Sequence, residues 1–122
     1  WLIGAPVDGE GNLRARAKRL PESAFRVGVH HFPAAITQLD GAVDLLLSGD
    51  THGGQVALPF LGPLIKIRRW NTPFYSAGLH TTPGGTHLYV NRGIGMEGRN
   101  VPRVRFNVPP EVTLIKLLPK RN

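Results

Sequence analysis

The chain has no cysteine among its 122 residues. That excludes a disulfide framework and thiolate ligands, and leaves histidine, aspartate and asparagine as the side chains able to hold a cation. Long apolar runs are missing as well: none approaches the roughly 18 residues that span a membrane as a helix. Trp1-Leu2-Ile3-Gly4 lacks both the basic flank and the apolar core of a signal peptide. With Trp where an initiator Met would stand, the chain reads as cut from something longer. Negative charge is scarce, 8 acidic residues against 15 Lys and Arg, which gives a net charge of +7. The basic residues nevertheless fall in short, interrupted groups: Arg14, Arg16, Lys18 and Arg19; Lys66, Arg68 and Arg69; Arg99, Arg103 and Arg105; Lys120 and Arg121. No base-reading helix, aromatic stripe or zinc-finger spacing accompanies them. A solvated basic surface is therefore the preferred reading, and a polyanion-binding face the lesser one.

A chain of this length makes one ordinary domain, able to bury about two thirds of its unfolded surface, and it is also a plausible half of a larger one. The 15 Gly and 11 Pro are spread through the sequence, so no linker or domain boundary stands out. Residues 1–4 read as a strand end. Asn12 offers an N-cap for a short helix over 13–20, with Leu13, Ala17 and Leu20 on one stripe and Pro21 as its stop. Phe25, Val27 and Val29 alternate and are expected to point inward on a strand ending at His30-His31-Phe32-Pro33. Residues 34–39 can make one or two helical turns. The apolar run 43–47 predicts a buried strand, and 87–91, 104–107 and 112–118 predict three more. Between them, 59–73 is loop-rich, with Leu61, Leu64 and Ile65 expected at the surface. Short helices among strands in the first half and a mostly β second half predict a layered α/β fold.

The residues with most chemistry follow the buried strand. Val-Asp-Leu-Leu-Leu-Ser-Gly-Asp-Thr-His-Gly-Gly-Gln over residues 43–55 runs an apolar strand into a glycine-lined loop carrying Asp50 and His52. Side chains two apart on an extended segment leave the same face, so this carboxylate and imidazole are expected to converge on one cation. Gly49, Gly53 and Gly54 allow close backbone approach, and Gln55 is expected to brace the loop. On the loop alone, a turn or surface role for Asp50 and His52 stays open. His80 and His87 read as structural or pocket-wall residues. Arg92, before Gly93-Ile94-Gly95, suits bidentate phosphate contact, with a capping ion pair as the equal alternative. Asp40 and Asp44 flank a turn and read as caps or solvated groups.

These segments carry a family resemblance. Leu-Ser-Gly-Asp-Thr-His-Gly-Gly-Gln over 47–55 resembles the L-S-G-H-T-H-G-G-Q signature of calcineurin-like metallophosphoesterases, in particular the small bacterial phosphohydrolase branch of the YkuE type. Residues 27–33 resemble its strand leading to a metal-binding H-x-P histidine. Tyr-Val-Asn-Arg-Gly-Ile-Gly over 89–95 and Arg-Phe-Asn-Val-Pro-Pro-Glu over 105–111 resemble two further segments, in the right order. The resemblance implies the C-terminal half of a four-layer α-β-β-α sandwich over 1–122, with ligands on loops at strand ends. The family's D-x-H, G-D-x-x-D and G-N-H-D/E segments precede this region, so catalytic residues are expected in the absent N-terminal half and none within this chain. By position, His31 corresponds to a ligand of the second metal, with His30 as the adjacent competitor. His52 corresponds to a ligand of the first metal. Asp50 stands where the family has histidine, a swap that favours harder ions, and Ala34 stands where the family often has an acidic residue.

The implied function is metal-dependent hydrolysis of a phosphate mono- or diester. Two divalent ions (Mn, Fe or Zn), about 3.5 to 4 Å apart, would supply a shared hydroxide and neutralise phosphoryl charge. Candidate metal ligands are His31, Asp50 and His52, with Arg92 as a substrate contact. The implied substrate is a phosphorylated small molecule or lipid headgroup, and the implied location is cytoplasmic or peripheral to a membrane. A hypothesis of a different class is a degenerate, non-catalytic remnant that binds nucleic acid or anionic headgroups through its basic surface. A half-sandwich is also expected to leave an apolar sheet face uncovered and to self-associate.

Overall fold

The computed structural model describes residues 1–4, 10–63, 75–98 and 103–119. The basic residues Lys66, Arg68, Arg69, Arg99, Lys120 and Arg121, and the surface expectation for Leu64 and Ile65, lie outside the described residues.

Strands β1 (Leu2–Gly4), β2 (Val27–Val29), β3 (Leu45–Ser48), β6 (Gly78–Thr81) and β7 (His87–Val90) form one sheet in the order β1-β2-β3-β7-β6. β1, β2, β3 and β7 run parallel, and only β6 pairs antiparallel, at the edge. Parallel neighbours require crossovers. Helix α1 (Glu10–Lys18) lies on the first, and a 3-10 turn (Pro33–Ala35) followed by α2 (Ile36–Leu39) on the second. A separate two-residue hairpin, β4 (Ala57–Leu58) with β5 (Gly62–Pro63), stands off the sheet, and Leu61 at its tip is exposed as expected.

The core lies between the helices and one sheet face. Leu13 and Ala17 of α1, Ile36 and Leu39 of α2, and Ile3, Leu46, Leu88 and Val90 of the strands are buried in one cluster, with Leu20 packed against it. Each fully buried Leu or Val contributes about 1.5 to 3 kcal/mol relative to exposure. Residues 34–39 are helical as the sequence predicts. Helix α1 keeps Leu13 and Ala17 of its predicted apolar stripe but begins at Glu10 and ends at Lys18, so Asn12 sits inside it and not at its cap, and Leu20 lies beyond its end. Burial of Leu13 and Ala17 outweighs the low helix propensity of Gly11 and Asn12.

Three strand expectations need correction. Phe25 and Val29 are exposed, because the helix-facing side of β2 belongs to Gly28, where an added Cβ would lie 3.2 Å from Leu46 Cδ1. The opposite face carries Val27, which is buried as expected, and Val29, and it is open at Leu2, Val29 and Leu79. Residues 104–107 form no strand beyond a single parallel bridge between Val56 and Phe106. Residues 112–118 form none, with Val112 and Leu114 almost fully exposed. Alternation makes a strand only where a neighbour buries one face; Gln55 and Ala57 bond the backbone of Phe106 alone, and among the described residues 112–118 make no backbone ladder bond. The four-residue strand β6 has no counterpart among the predicted strands.

Candidate metal centre

Ligands of open parallel sheets gather beyond the C-terminal strand ends, and three such ends meet here. The ladder continues past them: His30 N–H donates to Leu47 O at 3.0 Å, Gly49 N–H to His31 O at 3.1 Å, and Asn91 N–H to Ser48 O at 2.8 Å. His31 after β2, Asp50 after β3 and Arg92 after β7 therefore share one edge. His31 Nε2 lies 3.0 Å from Asp50 Oδ1, with the histidine half exposed and the aspartate largely shielded. The neighbouring His30 is turned inward, buried, and its Nδ1 accepts from Phe32 N–H at 3.1 Å. His31, not His30, is thus the histidine that reaches the loop.

The loop itself is coiled, not extended. Asp50 (φ 66°), His52 (φ 48°) and Gln55 (φ 53°) are all left-handed without being glycine. Each such residue costs of order 1 to 3 kcal/mol, and this strain concentrates at functional sites. Gly53 (φ 63°) and Gly54 (φ 79°) complete the turn, and an added Cβ at Gly53 would lie 2.6 Å from Val108 Cγ1. The expected same-face convergence of Asp50 and His52 accordingly gives way. Asp50 pairs with His31, while His52 directs Nδ1 at Gly95 O, 3.1 Å away. A carbonyl only accepts, so this contact puts the proton on Nδ1 and leaves Nε2 with its lone pair.

A second loop, 92–97, is locked over the first. Gln55 braces it as expected: its Nε2 donates to Glu97 O at 3.1 Å and its Oε1 accepts from Glu97 N–H. Arg92 Nε donates to Glu111 Oε2 at 2.6 Å, so the ion-pair alternative for Arg92 describes its Nε. Glu111 also accepts from the Tyr89 hydroxyl and from Thr113 at 2.9 Å. The Tyr89 bond chiefly, with the Arg92 and Thr113 bonds prevailing over burial, holds the Glu111 carboxyl down from 4.5 to about 2. Arg105, expected among the solvated surface cations, is partly buried and donates to four backbone carbonyls, those of His52, Arg92, Gly93 and Gly95. Its place in Arg-Phe-Asn-Val-Pro-Pro-Glu was the signal that could have found it. Asp40 and Asp44 are caps: Asp40 accepts from Gly84 N–H at 3.0 Å and Asp44 from Arg26 N–H at 2.7 Å. His80 contacts Ala77 O and His87 contacts Thr81, both structural positions.

The donor set suits a divalent cation in kind. Two donors about 2.1 Å from one ion stand about 3.4 Å apart in a tetrahedral site and about 3.0 Å apart at right angles, and the His31 to Asp50 separation of 3.0 Å matches the second. Among the described residues, however, no three His, Cys, Asp or Glu side chains come together as a metal cluster. The chain brings together two of its three predicted ligands and leaves His52 pointing elsewhere through Nδ1.

Known proteins bear on this geometry. The chain is 43% identical over 117 residues to the uncharacterised metallophosphoesterase YkuE of Bacillus subtilis, a match covering 95% of this chain and 37% of that protein. It is 38% identical over 76 residues to the phosphodiesterase YaeI of Escherichia coli, covering 62% of this chain and 25% of that protein. It is 36% identical over 94 residues to the UDP-2,3-diacylglucosamine pyrophosphatase LpxG of Chlamydia trachomatis, covering 72% of this chain and 27% of that protein. The chain thus spans little more than a third of the longest-matching of these relatives. No family model matches the chain, and no solved structure matches it significantly. Among the described residues no helix is long and apolar enough to cross a membrane.

Proposed function

Starting from the chain's kinship with one segment of the bacterial metallophosphoesterases, we propose that residues 1–122 are the C-terminal part of a phosphoester hydrolase with a divalent-cation site. His31, Asp50 and His52 are this chain's ligands in that proposal. The observation that carries it is the His31 to Asp50 pair, 3.0 Å apart beyond two parallel strand ends. In this reading the remaining ligands and the catalytic residues come from outside the chain, and a second sheet would complete a four-layer sandwich over the open face at Leu2, Val29 and Leu79.

When bound, divalent cations (Mn, Fe or Zn) would supply an activated hydroxide and charge neutralisation at the phosphoryl oxygens. The chain's own residues hold and orient. Asp50 offers carboxylate oxygen beside the His31 imidazole, His52 offers Nε2, and Gln55 and Gly53 keep the strained loop in register. Arg92, about one third exposed at the same edge and engaged by Glu111 through Nε, is the candidate contact for a phosphoryl oxygen. The substrate class is a phosphorylated small molecule or lipid headgroup; one relative's name, a UDP-2,3-diacylglucosamine pyrophosphatase, is of that kind.

The test joins this chain to its preceding coding sequence and measures metal content together with turnover of an aryl phosphate. His52→Ala is expected to lose both, Asp50→Ala to lose part of each, and Asp50→His to raise zinc affinity relative to manganese. Full metal and full rate in His52→Ala would sink the reading.

A further inference from the structure

We infer that Arg105 is a positioning residue that sets which ring nitrogen His52 presents. The inference rests on the cation reading of His52 for its consequence, though not for its geometry.

Arginine has five N–H donors in a rigid planar fork and no acceptor. Here Nη2 donates to Arg92 O at 2.8 Å, Gly93 O at 2.9 Å and Gly95 O at 2.5 Å, Nε to Gly95 O at 3.2 Å, and Nη1 to His52 O at 3.4 Å. One guanidinium therefore holds the backbone of His52 and the carbonyl of Gly95 at once. That carbonyl is the acceptor of the His52 Nδ1–H, 3.1 Å away. Gly95 O thus meets both side chains at once, sharing its two lone pairs between the Arg105 fork and the His52 ring. Gly95 lies close under the ring: an added Cβ would stand 3.5 Å from His52 Cε1.

The segment 92–97 has no ladder of its own to keep the Gly95 carbonyl aimed at His52. Gly93 is left-handed, and residues 91–98 adopt neither strand nor helix. Gln55 fixes the far end through Glu97 and Glu111 fixes the near end through Arg92. Arg105 spans the interval between them. Without it the carbonyl can rotate away, and His52 reverts to the Nε2–H tautomer that free imidazole prefers. The nitrogen available to a cation is then the wrong one. Metal-binding histidines are held in one tautomer by just such a hydrogen bond from the other ring nitrogen, and loss of the partner costs about 10- to 100-fold in affinity.

The experiment uses the 15N-labelled chain near pH 8, where imidazoles are neutral, and reads the His52 tautomer from two-bond 1H–15N correlations. Wild type is expected to show a protonated Nδ1 and an unprotonated Nε2. Arg105→Ala is expected to move His52 toward Nε2–H and to weaken Zn2+ binding, titrated with the metal alone, by about 10- to 100-fold. Should Arg105→Ala not fold, Arg105→Lys keeps the charge and stem but not the fork and is expected to give the same displacement. A wild-type His52 protonated on Nε2, or an unchanged tautomer in a folded Arg105 variant, overturns the inference. With zinc titrated into this chain joined to its preceding coding sequence, a tautomer shift that leaves zinc affinity unchanged retains the Arg105 role and refutes the cation reading instead.

Discussion

Replacing Glu111 by Gln tests whether the C-terminal segment is fastened to the sheet by charge. The Glu111 carboxyl accepts from the Tyr89 hydroxyl, Arg92 Nε and Thr113 Oγ1, and its own N–H donates to Gly93 O at 3.1 Å. Its folded value of about 2 lies below the unfolded 4.5. A depressed carboxyl adds stability that is fully present above pH 4.5 and is lost as the pH falls toward 2. Converted at full value the difference is about 3 kcal/mol. Arg92 is 34% exposed and Glu111 17%, so water screens the pair, and we expect roughly 1 to 2 kcal/mol to survive. Urea unfolding of wild type and Glu111→Gln at pH 7 should therefore differ by that amount, read as a change in midpoint at constant slope. Repeated down to pH 2.5, the gap should narrow markedly, because the unfolded chain is then protonated at 111 while the folded carboxyl, held at about 2, has begun to protonate. A gap that stays constant from pH 7 to 2.5 would show that the carboxylate's charge contributes nothing and that the segment is held by packing alone.

Gly53→Ala should destabilise the chain by about 1 to 3 kcal/mol in thermal unfolding, since φ is +63° and the new Cβ would meet Val108 and Arg92 side chains below 3 Å; an unchanged melting temperature would refute the packing described for this loop. The open apolar face at Leu2, Val29 and Leu79 should make the isolated chain associate with rising concentration in sedimentation velocity, whereas a compact monomer at all concentrations would mean that the face is covered.

What could be read from residues alone was the local part of this architecture. The apolar run ending in Leu-Ser-Gly announced β3 and the loop after it, and Leu13 and Ala17 announced the buried side of α1. Strand expectations failed where their warrant was a partner the sequence does not display. Val112 and Leu114 alternate as a strand would, yet both stay exposed while Thr113 between them is tied to Tyr89 and Asn91 by its side chain alone. Phe25 and Val29 alternate toward a face that the helices do not cover. The site was legible as a set of residues but not as an arrangement. Asp50 and His52 are two apart, and the assumption of extended backbone between them fails because three left-handed residues coil the loop. The His31 to Asp50 pairing, the Arg92 to Glu111 ion pair and the reach of Arg105 all join residues 10 to 53 positions apart through a sheet register that only the folded chain reveals.

The bonds that tie the loop down are also among the most distant in sequence: Gln55 to Glu97 spans 42 residues, His52 to Gly95 spans 43, and Arg105 to His52 spans 53. Closing spans of that size loses chain entropy before any bond repays it. The left-handed backbone of Asp50, His52 and Gln55 has local support only in the short turn bonds among Gly49 to Gln55, so its full fixation waits for β7 to dock beside β3. The order of events during folding is thereby built in, with the sheet first and the ligand loop last. Reversed, the same order makes the loop the first element to open. Amide exchange at residues 52–55 should accordingly run through a partial opening of lower free energy than exchange at Leu46. Equal protection at the two places would mean that sheet and loop rise and fall as one unit.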